Sequence, residues 1–298
     1  MFEHILVPLD GSGLAEDVLG AVESIAETFG ARVTLLHVLE RAAPSSVHGE
    51  RHITDAIDAA SYLEEVAERL RSAAVETDAH VHDRQVTDVA AAIDLHAHEL
   101  GVDLVAMCKH GHSGLRQVLI GSIPQQILRG GSTPMLLRTP VEGAADGRVE
   151  FNSILVPLEL HHDASGVLEI GATLARRYGG RVHLFTAVPR LAGARRASAS
   201  ARLLPGATAE SLRIEEEEAA EYLNRQARRL QAAGVEATVE LSHDDPATAI
   251  LEQASTVGAN LVVLTTHARA GFEAWYTGST GERLIAAASP TLLLLREL

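Results

Sequence analysis

Two segments of the chain carry residue types suited to holding an anion. Residues 108–122 read CKHGHSGLRQVLIGS and residues 265–279 read TTHARAGFEAWYTGS, each after a short apolar run and each closing on Gly-Ser ahead of a helical pattern. Successive backbone N–H groups of a glycine-bearing loop, followed by the N–H groups that open a helix, present partial positive charge to phosphate oxygens. Gly111 permits close backbone approach. Gly121 and Ser122 open the helix, where Ser122 caps it, bonds a phosphate, or does both. One Gly-Ser step at a helix start is usually only a capped turn, but two copies at matched spacing point to a ligand. At the end of the first apolar run, VPLDGS, Asp10 can accept hydrogen bonds from a ribose or a base edge, while Ser12 is equally suited to capping the helix that follows.

Other chemistry is less well supported. Cys108 and His110 alternate along a strand end, as a nucleophile and base would, yet no third partner is visible and Cys108 reads as a small buried residue. His110 and His267 hold equivalent places, suited to a phosphate or ribose contact or to loop packing. His80 and His82, two apart on a strand, share a face and could bind one ion. His96 and His98, two apart on a helix, do not converge; His161 with His162 and Asp163 raises the same question of metal, and no specific metal site is expected. Lys109 is the only lysine, which excludes a Walker A loop. Gly11-Ser12-Gly13 lacks the third glycine of a dinucleotide fingerprint, since Glu16 stands there.

These segments are positioned by a duplicated framework. HILVPLDGSG (His4–Gly13) matches SILVPLELHH (Ser153–His162) at an offset of 149 residues, as does GARVTLLHV (Gly30–Val38) against GGRVHLFTA, and GVDLVAMCKHG (Gly101–Gly111) matches GANLVVLTTHA at an offset of 157. Apolar runs alternate with amphipathic stretches, the pattern of βαβ units and a parallel sheet. In the first copy strands are expected at Glu3–Leu9, Arg32–Leu39, Asp78–Arg84, Leu104–Cys108 and Met135–Arg138. Helices are expected at Leu14–Phe29, Asp55–Ala74, Val89–Leu100 and Ile123–Leu128, with Thr54 and Thr87 able to cap. The second copy repeats the order, with strands at Ser153–Leu158, Arg181–Val188, Glu236–Leu241, Leu261–Thr265 and Thr291–Arg296 and a helix opening at Asp245-Pro246. Two domains follow, 1–140 and 151–298, joined by the polar linker Val141–Glu150; the Ala/Arg/Ser stretch Leu191–Ala207 reads as a mobile loop. The acidic run Glu215–Glu218 reads as a solvated helical face paired with Arg225, Arg228 and Arg229.

A net charge of −15 and a pI near 5.4 argue against a broad nucleic-acid surface. One cysteine excludes an intrachain disulfide and a paired-cysteine zinc cluster. The apolar runs are too short to span a bilayer and the first residues do not read as a signal peptide, so a cytoplasmic protein is expected.

On these motifs the chain resembles the universal stress protein family, as a tandem member. ATP-binding members of that family carry G-x2-G-x9-G-[ST] after strand four. Here the matching positions are Cys108, Gly111, Gly121 and Ser122, then Thr265, Ala268, Gly278 and Ser279, so the spacing is kept while the first glycine is replaced twice and the second once. The family's strand-one aspartate matches Asp10 and, in the second half, Glu159; its adenine-contacting residue after strand two matches Val38 and Ala187. The resemblance extends the nucleotide-contacting set to Pro8, Leu9, Met107, Cys108, His110 and Ile123, and to Pro157, His267, Gly278, Ser279 and Thr280. It implies two Rossmann-like α/β domains of the adenine nucleotide alpha hydrolase-like type, each a five-stranded parallel sheet flanked by helices in the order 3-2-1-4-5. It further implies ATP or a related adenine nucleotide, with magnesium as an optional companion, and a regulatory role in stress through unidentified protein partners. Catalysis is not expected beyond slow ATP hydrolysis. The halves are expected to pair through their last strands as an intramolecular dimer, leaving room for a further homodimer, with no nucleic acid or membrane partner. The departures make the pair of sites asymmetric, strongest around Asp10, Gly111, Gly121 and Ser122.

Overall fold

Strands buried on both faces read as unbroken apolar runs, and the central strands here do so. The computed structural model describes residues 1–41, 46–47, 50–51, 53–109, 123–140, 149–160, 162–188, 205–267 and 280–297. The chain divides into two units, Met1–Glu150 with Thr291–Leu298, and Phe151–Pro290. The linker 141–148 and most of the stretch expected as a mobile loop, 189–204, lie outside the described residues.

The first unit runs β1 (His4–Pro8), a helical turn (Gly13–Glu16), α1 (Leu19–Phe29), β2 (Arg32–Glu40), α2 (Ala56–Ser72), β3 (Thr77–Val86), α3 (Val89–Glu99), β4 (Leu104–Cys108), α4 (Ile123–Gly130) and β5 (Met135–Arg138). Its parallel strands lie in the order β3-β2-β1-β4-β5, which is the expected 3-2-1-4-5. Ile5, Leu6, Val7, Leu104 and Ala106 are fully enclosed. The edge strand β3 is mostly exposed and carries Asp78, Asp83 and Arg84, charges that blunt an open edge against further pairing.

The second unit runs β6 (Ser153–Pro157), α5 (Ser165–Tyr178), β7 (Arg181–Ala187), α6 (Pro205–Ala232), β8 (Glu236–Ser242), α7 (Pro246–Thr256), β9 (Leu261–His267) and α8 (Thr280–Ala287). Its strands are parallel in the order β8-β7-β6-β9. The last strand of the sequence, β10 (Thr291–Glu297), groups with the first unit, where it pairs antiparallel with β5 through Leu292↔Leu137, Leu293↔Leu136 and Leu294↔Met135. Both strands are apolar and buried, so the pairing covers what would otherwise be a hydrophobic sheet edge.

Duplication is visible in detail. α1 and α5 both end on a left-handed glycine, Gly30 and Gly179. An edge-to-face aromatic pair 5.5 Å apart closes each repeat, Phe2 with Phe29 and Phe151 with Tyr178. Asp103 accepts from the N–H groups of Glu3 and His4, and Asn260 accepts from that of Ser153 at the matching place.

Three local expectations are corrected. The helix expected over Leu14–Phe29 is broken at Asp17 and Val18, where the Asp17 carboxylate turns inward to Arg138 Nε at 2.8 Å. The caps of α2 and α3 are not the threonines but the next residues: Asp55 accepts from Ile57 and Asp58 N–H, and Asp88 from Ala91 N–H. A carboxylate both accepts these bonds and carries charge favoured at a helix N-terminus. On α6, Arg213 rather than Arg225, Arg228 or Arg229 pairs with the acidic run, meeting Glu217 one turn away, and His243 Nε2 lies 3.5 Å from Glu216. Among the described residues, no helix is long and apolar enough to cross a membrane.

Candidate functional site

The turn after β1 is built around its aspartate. Asp10 Oδ1 accepts from Ser12 N–H at 2.9 Å and from Ser12 Oγ at 2.6 Å, and Ser12 Oγ in turn accepts from Ala15 N–H at 3.2 Å. Of the two roles open to Ser12, the structure shows the cap. Gly11 between them has φ +92°, a left-handed conformation that favours glycine, and a Cβ there would stand 2.6 Å from Ile53 Cδ1, which would have to move aside. With Oδ1 committed, Asp10 Oδ2 makes no hydrogen bond among the described residues.

Beneath this turn His37 ties three segments together. Its Nδ1 lies 2.8 Å from the Leu9 carbonyl oxygen and its Nε2 3.2 Å from that of Ile53, with the ring 1% exposed. The end of β1, the end of β2 and the chain at Ile53 are thereby held in one arrangement.

These elements enclose a cleft of about 620 Å³, counting its open mouth. β1 and the turn after it contribute Pro8, Leu9 and Asp10; β2 contributes Leu36, His37, Val38 and Glu40; α3 contributes Val89 and Ile93; β4 contributes Met107 and Cys108; α4 contributes Ile123 and Pro124. The cleft thus sits at the carboxyl ends of β1 and β4, where the strand order reverses and ligands of open α/β sheets settle. Seven of the residues singled out in the sequence meet here: Pro8, Leu9, Asp10, Val38, Met107, Cys108 and Ile123. His110, Gly111, Gly121 and Ser122 lie outside the described residues. Leu36, His37, Glu40, Val89 and Ile93 were not singled out. The first three lie within two residues of Val38 at the end of β2, a proximity that was available as a signal; Val89 and Ile93 required knowing which face of α3 turns inward.

Burial, with the nearby charge of Asp17 adding to it, pushes the Cys108 thiol up to about 12. It is therefore a neutral thiol at ordinary pH and a poor nucleophile, in keeping with its reading as a small buried residue. Burial pushes the ammonium of Lys109 down to about 8.

The second repeat reproduces the backbone of this site but not its carboxylate. Pro157 ends β6, and Leu158 N–H donates to the Phe185 carbonyl at 2.8 Å just as Leu9 N–H donates to that of Leu36 at 2.9 Å. Thr186 takes the place of His37, its Oγ1 donating to the Leu158 carbonyl at 2.9 Å. Glu159 is exposed and lies 3.3 Å from His162 Nδ1. The turn role of Asp10 falls instead to Asp163, whose carboxylate accepts from Ser165 N–H at 2.9 Å and Ser165 Oγ at 3.0 Å; these bonds hold its carboxyl below the usual range. The repeated D-x-S pattern, Asp10-Gly11-Ser12 and Asp163-Ala164-Ser165, was the available signal. His267 ends β9 and Thr280 opens α8, but their side chains, like Gly278 and Ser279, lie outside the described residues.

Comparison with known proteins agrees with this architecture. The family model described as "Universal stress protein family" matches residues 1–137 and again 150–296. Universal stress protein YxiE of Bacillus subtilis is 26% identical over 149 residues, covering 46% of this chain and 99% of that protein. Among solved structures, a universal stress protein from Archaeoglobus fulgidus superposes with a TM-score of 0.70 at 18% identity, covering 99% of this chain and 96% of that one. A functionally unknown protein from Pseudomonas aeruginosa PAO1 superposes with a TM-score of 0.67 at 16% identity, covering 99% and 92%. Two family matches in tandem, on two repeats of one α/β framework, place this chain in the universal stress protein family.

Proposed function

We propose that the cleft of the first unit binds an adenine nucleotide, ATP foremost, and that the chain is a cytoplasmic, nucleotide-responsive regulatory protein of the stress response rather than an enzyme. The observation that carries this reading is the convergence of Pro8, Leu9, Asp10, Val38, Met107, Cys108 and Ile123 on one cleft at the switch point of the sheet. Val38, Ile93 and Met107 supply apolar walls of the kind that take a planar base. β1 is paired with β2 only as far as Leu36, so beyond it the flank of β2 at Val38 is open to hydrogen-bond an adenine edge. Asp10 Oδ2 is the acceptor for ribose hydroxyls. The opening turn of α4 lines the cleft at Ile123 and Pro124, so the positive dipole end of this helix is suited to phosphates, next in sequence to the segment that carries Gly111, Gly121 and Ser122. Magnesium would come with the phosphates. In the second unit Glu159, Pro157, His267, Gly278, Ser279 and Thr280 form the weaker counterpart, because Glu159 stands outside the D-x-S turn that Asp163 has taken over.

Titration of the full chain with ATP at equilibrium tests this. Asp10→Asn keeps an acceptor for Ser12 while replacing the second oxygen by an amide that cannot accept from ribose, and it is expected to weaken ATP binding by about 10- to 100-fold, the usual worth of a hydrogen bond to a charged group. Absence of ATP binding to the wild-type protein under native conditions would overturn the proposal and leave the cleft to another small molecule or to a protein segment.

A further inference from the structure

We propose that His82 and His96 form a proton-operated latch that holds α3 against the edge strand β3 and releases it in acid. His82 Nδ1 and His96 Nε2 face each other at 2.9 Å, a distance that one shared proton fills. The His80 ring stacks edge-on against His96 with centroids 4.7 Å apart, and the His82 ring lies at 5.1 Å. Glu99 Oε2 stands 3.4 Å from His96 Nδ1 and favours a proton there. His96 Nε2 is then the acceptor and His82 Nδ1 the donor. His82 Nε2 is left as a bare lone pair, buried and with no hydrogen-bond partner.

A second proton has no place in this arrangement. On His96 Nε2 it would set two N–H groups against each other across 2.9 Å. On His82 Nε2 it would create a buried N–H without an acceptor, which forfeits a hydrogen bond that water would supply. Either way the contact between α3 and β3 opens. The groups acting electrostatically on His96 are His80 and His82 from β3 and Glu99 from its own helix. β2 presents the apolar Leu36 and Val38 in register with His80 and His82, and α4 buries Pro124, Gln125, Ile127 and Leu128, none of them titratable. Among the described residues no three of His, Cys, Asp and Glu are placed to hold a metal ion. Nitrogens facing at 2.9 Å also stand closer than the roughly 3.3 Å between two ligands of one tetrahedral zinc.

The sign follows from burial, which with the neighbouring imidazoles holds His96 below its ordinary value. A histidine lowered by folding contributes stability that is complete above about pH 6.5 and is lost as pH falls from there through the lowered folded value. His4 and His183, also lowered chiefly by burial, add a general acid loss in both units, so the readout must be local. The second repeat provides the control. By sheet register and helix alignment its counterparts of His80, His82 and His96 are Glu240, Ser242 and Gln253, on an equally long helix α7 with the same aspartate cap. Because Val89 and Ile93 of α3 wall the cleft, release of the latch loosens that wall, whether or not the cleft takes a nucleotide.

Hydrogen exchange of the full chain, read by mass spectrometry at about pH 7.5 and about pH 5.5 and corrected for intrinsic rates, tests the latch. Protection of α3 is expected to fall about tenfold or more relative to α7 on acidification, and His96→Gln or His82→Gln to abolish that difference. Parallel behaviour of α3 and α7 in the wild-type protein would overturn the latch, as would an acid response that survives in a folded His96→Gln variant. Added Zn²⁺ that raises α3 protection at the higher pH would also overturn it, by showing a metal site instead. If neither variant folds, the difference between α3 and α7 in the wild-type protein still supports the latch by its presence or overturns it by its absence.

Discussion

Asp17→Ala lowers the stability of the first unit by about 3–5 kcal/mol, the cost of stranding a buried charge. Asp17 Oδ2 lies 2.8 Å from Arg138 Nε, and the two side chains are only 6% and 14% exposed. Removing the carboxylate leaves a mostly buried guanidinium without its charge partner, and it cannot deprotonate. The contrast is Arg181 with Glu236, 3.4 Å apart and more than half exposed, whose loss should cost under about 1 kcal/mol. Replacing both partners, as Asp17→Leu with Arg138→Met, should recover most of the loss, because the desolvation of both charges disappears with them. Urea unfolding of the single and double variants reads this directly. A single-variant loss below about 1 kcal/mol would show that Arg138 finds water or another acceptor. The Cys108 thiol gives a second readout. Asp17 helps to raise it and Arg138 to lower it, so removing Asp17 alone should speed alkylation of Cys108 at a fixed pH in the folded protein.

That ion pair also marks the limit of what the sequence discloses. Its partners are 121 residues apart, and nothing in the periodicity of Leu14–Phe29 signals a break at Asp17. What was legible rests on local physics: apolar runs became the buried strands, and Ser12 caps the helical turn that follows it. The cleft was legible in proportion. The α/β pattern pointed to the ends of strands one and four, where Asp10 and Cys108 stand, while Pro8, Leu9, Val38, Met107 and Ile123 came with the family resemblance; all seven line the cleft. Ile53 could not be named, since it meets His37 only because β2 and the chain ahead of α2 come together in space. Asp163 was missed for a different reason. Matching the repeats at a constant offset paired Asp10 with Glu159, whereas the turn chemistry had moved four residues along the chain. The threonine caps failed by one residue each, because a neighbouring aspartate caps better than threonine.

Leu293→Ala is expected to cost about 2–5 kcal/mol, and to take it from the first unit although residue 293 belongs to the second repeat. Leu293 is 1% exposed and lies opposite Leu136, with Leu292 and Leu294 opposite Leu137 and Met135. Arg296, three residues on from Leu293, donates to the Leu128 carbonyl near the end of α4, where a cation meets the negative end of the helix dipole. Truncating Leu293 therefore removes apolar contact from β5 and loosens the strand that bears Arg138, so the two predictions touch the same edge of one sheet. Hydrogen exchange separates the possibilities: protection should fall in β5 and β4 and hold in β6 and β7. Loss confined to residues 151–290 would instead assign the strand's energy to the second repeat, where its sequence position alone would put it. A strand encoded at the end of one repeat would then stabilise its own half, and β5 would depend on β10 only for the cover of its edge. The energetic sharing predicted here has a further consequence for the cleft, since β4 pairs with β5 from Val105 to Cys108 and carries Met107 and Cys108 into the wall of the cleft. Weakening β10 should then lower ATP affinity at a site that Leu293 does not line, and unchanged affinity in a folded Leu293→Ala protein would show that β4 keeps its place without that support.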